Sequence, residues 1–304
     1  MTPTTPSRQV LPRSAVSCDV VGYGIVQATQ ARIAELRTKP GRVAGEALPP
    51  AFLKHADDQT VAALVSVLQT VEEHQLDSID YKNWGVIAAP RFLGRVAMAA
   101  AMQRFAAEGA WGVSPHLIPH RSLHSLPGTV SQALKINGPN LGVGGGPNSA
   151  AEALLAAVAL LADETIPGVW VVISAWDPEP VVDAAGQVTN APTCHSLALA
   201  LAPSIGVRQG LRLRVMSNEI APTTAADVGP QSDLTAMRLI TLLNALVEPS
   251  LPSAIVLWGM GGGVRVELER VTGKAPSLRM HGGRLPERIL ATRERHAVGV
   301  ENKL

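Results

Sequence analysis

The strongest constraint on the fold comes from residues 141–174, where a glycine-rich strand end, an apolar helix and an apolar strand follow one another. The segment 148–161 is dominated by Ala and Leu and predicts a helix, whereas the run VWVVIS at 169–174 predicts a strand that is buried on both faces. A strand of that kind needs helices above and below it. This order of elements therefore predicts a layered α/β protein.

The rest of the chain alternates between β-branched runs and segments with apolar residues at three- and four-residue steps. The predicted strands are 20–26, 84–89, 141–146, 196–202, 211–216, 254–258 and 264–268. The predicted helices are 27–38, 51–75, 91–107, 129–135 and 234–247. A turn at 206–210 separates the strands 196–202 and 211–216, which we expect to pair as a hairpin.

Composition excludes several classes of function. The chain of 304 residues is 46% hydrophobic, enough for a large core, and its net charge of +1 argues against a nucleic-acid-binding protein. Two distant cysteines, Cys18 and Cys194, form neither a disulfide framework nor a metal-binding spacing. Residues 1–13 lack the apolar core of a signal peptide, and the apolar segment 150–162 is too short to span a bilayer. We therefore expect a cytoplasmic protein.

The segment 114–174 resembles the nucleophile region of β-ketoacyl synthases, a family within the thiolase superfamily. It begins SPHLIPH and continues through a helix and a Gly138-Pro139 turn to LGVGGGPNSAAEALLAAVALL and VWVVIS. In that family a strand ends at the active-site cysteine, which begins a buried, Ala-rich helix. The helix dipole and free backbone N–H groups favour a thiolate at such a position.

The position of the family's cysteine carries no nucleophile here. Counted from the Gly138-Pro139 turn, it falls on Pro147, or on Gly146 if the loop is shifted by one residue. Asn148 follows, and Ser149 is the nearest hydroxyl.

Other segments resemble the family in the same order. Lys54 to Asp57 resembles the K-x-x-D motif at the start of a helix in that family. The segment 84–89 resembles the strand before the family's first dimer-side helix. The segment 257–263 (LWGMGGG) resembles the GFGG loop, with Met260 at the phenylalanine position. The resemblance covers roughly 15–270 and implies a thiolase-like layered αβαβα fold.

The second half departs from the family. The segment 196–216 resembles the hairpin that closes the family's first half. The family's two catalytic histidines lie between that hairpin and the GFGG loop, but this chain has no histidine between residues 196 and 263. One predicted helix, 234–247, fills an interval that is longer in the family, which implies a shortened second half. Without the nucleophile there is no acyl-enzyme, and without the histidines the developing anion has no donors.

The chain ends differ from the middle. Residues 1–16 are rich in Thr, Pro and Ser and predict a flexible arm, and 271–304 is a polar tail, which leaves 17–270 as the ketosynthase-like domain. The tail can dock an acidic carrier protein or remain solvated, since it contains Arg279, Arg284, Arg288, Arg293 and Arg295.

Three histidines, His116, His120 and His124, are spaced by four residues, as a metal site on one helix face requires. Pro115 and Pro119 interrupt a helix there, which favours interface or hydrogen-bonded histidines instead. We expect no metal.

Two other polar features have structural interpretations. Cys194 and His195 are adjacent in a predicted strand, so their side chains point to opposite faces and form a poor catalytic dyad. Glu152 lies in an otherwise apolar helix, where a buried carboxylate needs a partner.

Two glycine-rich segments, 144–146 and 259–263, could suggest a nucleotide site. The first lacks the Lys-Ser/Thr of a P-loop, and Pro147 and Asn148 break the G-x-G-x-x-G pattern. The second leads into a strand. We therefore expect tight corners and no cofactor.

The resemblance implies a non-catalytic, chain-length-factor-like subunit that pairs with an active ketosynthase, or with itself, and shapes an acyl pocket in fatty-acid or polyketide-type biosynthesis. An acyl carrier protein is a further candidate partner. Two alternatives stay open: an acyltransferase or decarboxylase that uses Ser149 or another nucleophile outside the family's set, and a homodimeric acyl-ligand-binding protein. The expected pocket lining is Gly145, Gly146, Ser149, Met260 and Gly261.

Overall fold

The structure is a computed structural model that describes residues 15–115, 117–144, 149–184, 187–204, 210–217, 255–259 and 264–271. Its strands are β1 (Ala15–Thr29), β2 (Arg42–Val43), β3 (Glu46–Ala47), β4 (Gly85–Pro90), β5 (Asn140–Gly142), β6 (Val169–Asp177), β7 (Thr193–Pro203), β8 (Gly210–Ser217), β9 (Ile255–Gly259) and β10 (Val264–Val271). Its α-helices are α1 (Gln30–Thr38), α2 (Asp58–Glu73), α3 (Arg95–Glu108), α4 (Leu117–Arg121), α5 (Ser125–Leu134) and α6 (Ser149–Leu161). Single 3-10 turns lie at Leu76–Ser78 and Gly109–Gly112.

A mixed sheet of eight strands organises these elements, in the order β5-β4-β6-β7-β1-β8-β10-β9. The strands β5, β4 and β6 run parallel to one another, and the remaining neighbours are antiparallel. The short strands β2 and β3 form a separate hairpin. β5 lies at one edge of the large sheet and β9 at the other.

The predicted hairpin of 196–202 and 211–216 is wrong, because β1 lies between β7 and β8. β1 pairs with β7 from Cys18 to Thr29 and with β8 from Ala15 to Val20. At 15 residues it is far longer than an ordinary strand, so it can satisfy a neighbour on each edge. The turn that suggested local pairing does not decide which neighbour each strand takes.

The other predicted strands and four predicted helices are found within a few residues of their expected bounds. The predicted helix 51–75 starts later, because Asp57 caps α2 by accepting a hydrogen bond from the Gln59 N–H at 2.9 Å. The expected arm extended too far, since residues 15 and 16 belong to β1. Residues 1–14 of that arm, the predicted helix 234–247 and residues 272–304 lie outside the described residues.

Helices cover both faces of the sheet, which confirms the mixed α/β class. α2 and α5 pack on one face, where Leu64 is fully buried, and α6 packs on the other through Leu154. Alternate residues of β7 divide between the two cores: Leu197 faces α6 and Ala198 faces α2. The strands β8, β9 and β10 extend the same sheet. No helix in the described ranges combines the length and apolarity that crossing a bilayer requires.

Gly24 allows β1 and α2 to approach closely, and we expect Gly24→Ala to lower the free energy of unfolding. A Cβ at this position would lie 2.6 Å from the Ser66 carbonyl oxygen and would also overlap the Thr70 side chain. Overpacking of this kind forces neighbouring atoms to shift and lowers the free energy of unfolding by roughly 1–3 kcal/mol. Urea denaturation followed by circular dichroism measures the change.

The matched control is Gly128→Ala in α5, where the nearest atom to an added Cβ is His124 Nε2 at 4.0 Å. This exchange should leave stability unchanged or raise it by up to about 1 kcal/mol, because Ala is the better helix former. Equal stability of the two variants would contradict the close β1–α2 contact.

Candidate functional site

Two glycines at the end of β5, where the nucleophile corner is predicted, have no room for a side chain. Gly144 has a φ of +72°, and a Cβ there would lie 2.8 Å from Ser149 Cα and 2.9 Å from Glu152 Oε2. Gly142 is equally crowded, with an added Cβ 2.6 Å from the Leu123 carbonyl carbon. The corner therefore tolerates only glycine at these two positions.

Of the predicted pocket residues, Ser149 alone lies among the described residues. It is the first residue of α6 and is only 4% exposed, so its hydroxyl lies in the packed start of the helix. The remaining predicted site residues lie outside the described residues and stay predictions: Gly145, Gly146, Pro147, Asn148, Met260 and Gly261.

Within this chain, Glu152 of α6 is not a buried carboxylate. Glu152 is exposed, and its Oε2 lies beside Gly144. Leu155 and Ala156, one turn later, are only partly buried, and Ala159 is exposed. An apolar helix can thus keep one outward stripe, so Glu152 needs no buried partner within this chain.

The cysteines are small core residues on opposite faces of the sheet, and neither lies at the corner. Cys18 is fully buried in β1, where its Sγ donates to the Leu213 carbonyl oxygen at 3.8 Å, and burial raises its pKa to about 12. Burial, reinforced by the negative charge of Asp57, raises the pKa of the Cys194 thiol well above its ordinary value. Neither thiol therefore supplies a thiolate at neutral pH.

Cys194 and His195 do not form a dyad, as expected from their adjacency. Cys194 belongs to the core beneath α2, and the alternation along β7 turns His195 to the opposite face. Burial lowers the pKa of the His195 imidazole, and the Asp177 carboxylate partly opposes that shift.

The histidines spaced by four residues do not share one helix. His120 lies in α4 and His124 directly before α5, while His116 lies outside the described residues. The His120 ring instead packs against His55, with ring centroids 5.6 Å apart. In the described ranges, no three His, Cys, Asp or Glu side chains converge as a metal site would require.

The second glycine-rich segment joins two strands. Gly259 ends β9 and Val264 begins β10, and these strands pair antiparallel. The next described element after Gly259 is thus a strand, whereas a dinucleotide phosphate site uses a helix N-terminus at that place.

Helix α3 carries a functional feature that sequence reasoning missed. Of its 14 residues only Ala101 is buried. Its bulky apolar side chains are exposed, with Met102 at 70%, and Trp111 in the following 3-10 turn is 99% exposed. The signal in the sequence is the combination of large apolar residues with a poor separation of apolar and polar faces, which predicts a helix that lacks enough buried surface of its own.

These exposed side chains surround a cavity of about 1090 Å³ between α3, the Gly109–Gly112 turn and α4. We call this cavity the apolar groove, and its wall residues include Met98, Met102, Phe105, Trp111, Leu117 and Ile118. Contiguous exposed apolar surface of this kind marks interaction sites in folded proteins. The link from α4 to α5 abuts the edge strand β5, since the Leu123 carbonyl lies against Gly142.

No family model matches the chain, and no curated protein matches its sequence significantly. Solved structures do match its fold. A chain of the ishigamide ketosynthase/chain length factor superposes with a TM-score of 0.54 at 14% identity, over 85% of this chain and 100% of that one. The chain has a ketosynthase-like fold. A chain of a ketosynthase in complex with its chain length factor from Xenorhabdus doucetiae gives a TM-score of 0.50 at 14% identity, over 84% of this chain and 100% of that one.

Because both thiols are buried, we expect neither cysteine to react with a thiol reagent in the folded protein. At pH 8 a thiol with the pKa of Cys18 is ionised to about one part in ten thousand. Absorbance after addition of a disulfide reagent should rise slowly in buffer and at once in denaturant, with two thiols released per chain. Fast release of even one thiol from the native protein would contradict this description.

Proposed function

We propose that this chain is a non-catalytic ketosynthase-like subunit that pairs with an active β-ketoacyl synthase in the cytoplasm and shapes its acyl pocket in fatty-acid or polyketide-type biosynthesis. The observation that carries the proposal is α3, a helix of 14 residues with one buried residue and several large apolar side chains in solvent. Similar folds occur in solved ketosynthase and chain-length-factor complexes, which supports a partner of that kind.

The chemistry of the corner supports a non-catalytic role. Residues 144–149 contain no cysteine, and the two cysteines of the chain are both buried in strands. Ser149 is buried at the start of α6, and no histidine occurs between residues 196 and 263. A subunit without a nucleophile or its proton-transfer partners needs another chain for condensation.

The proposed partner surface combines the apolar groove with the neighbouring sheet edge. Edge strands present unpaired backbone donors and acceptors, and β5 is an edge strand in the described part of the sheet, with its own Leu141 exposed. Trp111 is suited to act as an anchor, because burying one Trp removes on the order of 200 Å² from water. Aromatic anchors of this type dominate the binding energy of many interfaces.

The groove also suggests how this chain influences an acyl pocket. Met98 and Met102 are unbranched and adapt to irregular shapes, so walls that contain them can pack against a flexible acyl chain or a partner helix. We place the remnant pocket of this chain near Ser149, together with Gly145, Gly146, Met260 and Gly261 as its other proposed lining.

We expect the purified chain to form a 1:1 heterodimer with the β-ketoacyl synthase encoded beside it, since burial of the groove stabilises the pair. Light scattering of each protein and of their mixture gives the masses. Condensing activity should appear in the mixture and be absent from this chain alone. A stable homodimer that retains an acyl ligand and ignores the synthase would instead support the ligand-binding alternative.

Truncation of the exposed anchor tests the surface itself. Trp111→Ala should weaken association by about 30-fold, as expected for an interface residue that contributes about 2 kcal/mol. Because Trp111 is 99% exposed, the variant should unfold at the same urea concentration as the wild type. Val16→Ala, which removes exposed apolar surface on β1, is the control and should bind normally. Unchanged affinity of Trp111→Ala would place the interface elsewhere.

A further inference from the structure

We infer that Arg121 is a positioning residue that sets the separation of α3 and α4 and thereby the width of the apolar groove. The inference rests on the proposed function only in naming the partner that occupies the groove. The contacts of Arg121 themselves are properties of the isolated chain.

The groove walls have little apolar burial to hold them in place. α4 has five residues, none of them buried, and α3 has one buried residue. Short helices in water gain their stability mainly from packing, so these two need another anchor. Arg121, the last residue of α4, makes the contacts that supply one.

The backbone of Arg121 packs directly on the start of α3. Gly94 precedes α3 with a φ of +72°, and a Cβ there would lie 2.9 Å from Arg121 Cβ and 3.1 Å from its carbonyl oxygen. No side chain separates the two segments. A displacement of Arg121 therefore changes the spacing of α3 and α4.

The side chain of Arg121 connects this junction to the core helix α2. Its Nε lies 3.6 Å from Asp57 Oδ2, and its Nη1 donates to the His55 carbonyl oxygen at 3.2 Å. Asp57 in turn caps α2, whose body is buried against the sheet. The position of α4 is thus tied to the best-packed helix of this face.

The pair of Asp57 and Arg121 is sheltered from solvent, with side-chain exposures of 12% and 22%. Burial raises the pKa of the Asp57 carboxyl, and Arg121 makes the largest opposing contribution, ahead of the Gln59 N–H. Removing either charge leaves its partner poorly compensated. The two residues therefore act as one unit, and changes in them should not be additive.

Spin labels on Met102→Cys and Ile118→Cys measure the width of the groove across α3 and α4 in the isolated chain. The native cysteines are fully buried, so the label should react only with the two introduced cysteines. In the wild-type background we expect one narrow distance distribution. Arg121→Met should broaden it by about twofold, because α4 loses its anchor.

Asp57→Asn is the second variant, because Asn keeps the helix cap while removing the charge. It should broaden the distribution as much as Arg121→Met, and the double variant should add nothing further. Arg121→Lys, which keeps the positive charge, should leave the distance distribution nearly as narrow as in the wild type. The control is Arg32→Met, which removes an exposed ion pair with Glu35 and should leave the distribution unchanged.

Unlabelled Arg121→Met should bind the synthase about tenfold more weakly than wild type, because only part of its population has the groove width that binds. An unchanged distance distribution in Arg121→Met and Asp57→Asn would overturn the positioning role, whatever the partner. Broadened distributions in a chain whose wild type fails to bind the synthase would keep the positioning role and reject the proposed partner.

Discussion

The fold depends on β1, the 15-residue strand that pairs along both of its edges. β7 pairs with one edge and β8 with the other. β1 therefore joins the strands β5, β4, β6 and β7 to the strands β8, β10 and β9 in one sheet. Gly24 lets the backbone of α2 lie directly against it, close to Ser66. Pairing on both edges and packing against α2 hold β1 in place. Through β7, β1 is connected to the parallel strands β6 and β4.

The central strands β4, β6 and β7 are deeply buried, whereas α3 and α4 bury little of their own surface and are positioned in part by polar contacts. The Gln59 side chain donates to the Arg91 carbonyl oxygen at 2.8 Å and accepts from Ser174 Oγ at 3.0 Å. These bonds fix the loop that leads from β4 into α3, and Arg121 packs against Gly94 at the end of the same loop. Helix α3 is therefore placed accurately while its own apolar surface remains uncovered. Placement without burial is a property expected of a surface that a second protein covers.

The elements that sequence reasoning predicted are those whose signal is local. The run at 169–174 and the apolar helix after 148 specify their own structure, and Asp57 is a typical helix cap. The partners of β7 and β8 are not a local property, since they depend on the length of β1 and on burial on both faces of the sheet. The predicted hairpin failed for that reason.

Burial of individual side chains within helices was harder to predict than the helices themselves. Glu152 sits on the outward stripe of α6, and α3 keeps its Met and Phe side chains in solvent. Composition alone assigns such residues to a core. The exposure of these side chains follows from tertiary packing, which the sequence pattern of α3 does not specify. The corner residues from 145 to 148 and the loop at 260–263 remain sequence predictions.

The corner between β5 and α6 has two physical roles that can be separated. The nucleophile corner predicted there would present a thiolate to the helix N-terminus in a condensing enzyme, and any such corner also lets the following helix begin close to the sheet. Here the second role persists: Gly144 lies against Ser149, and Leu154 and Ala157 are buried on the sheet face. Packing thus accounts for the corner without any chemistry. Packing among the described residues does not account for the exposed apolar side chains of α3. The surface of α3 is therefore stronger evidence for a function than the corner is.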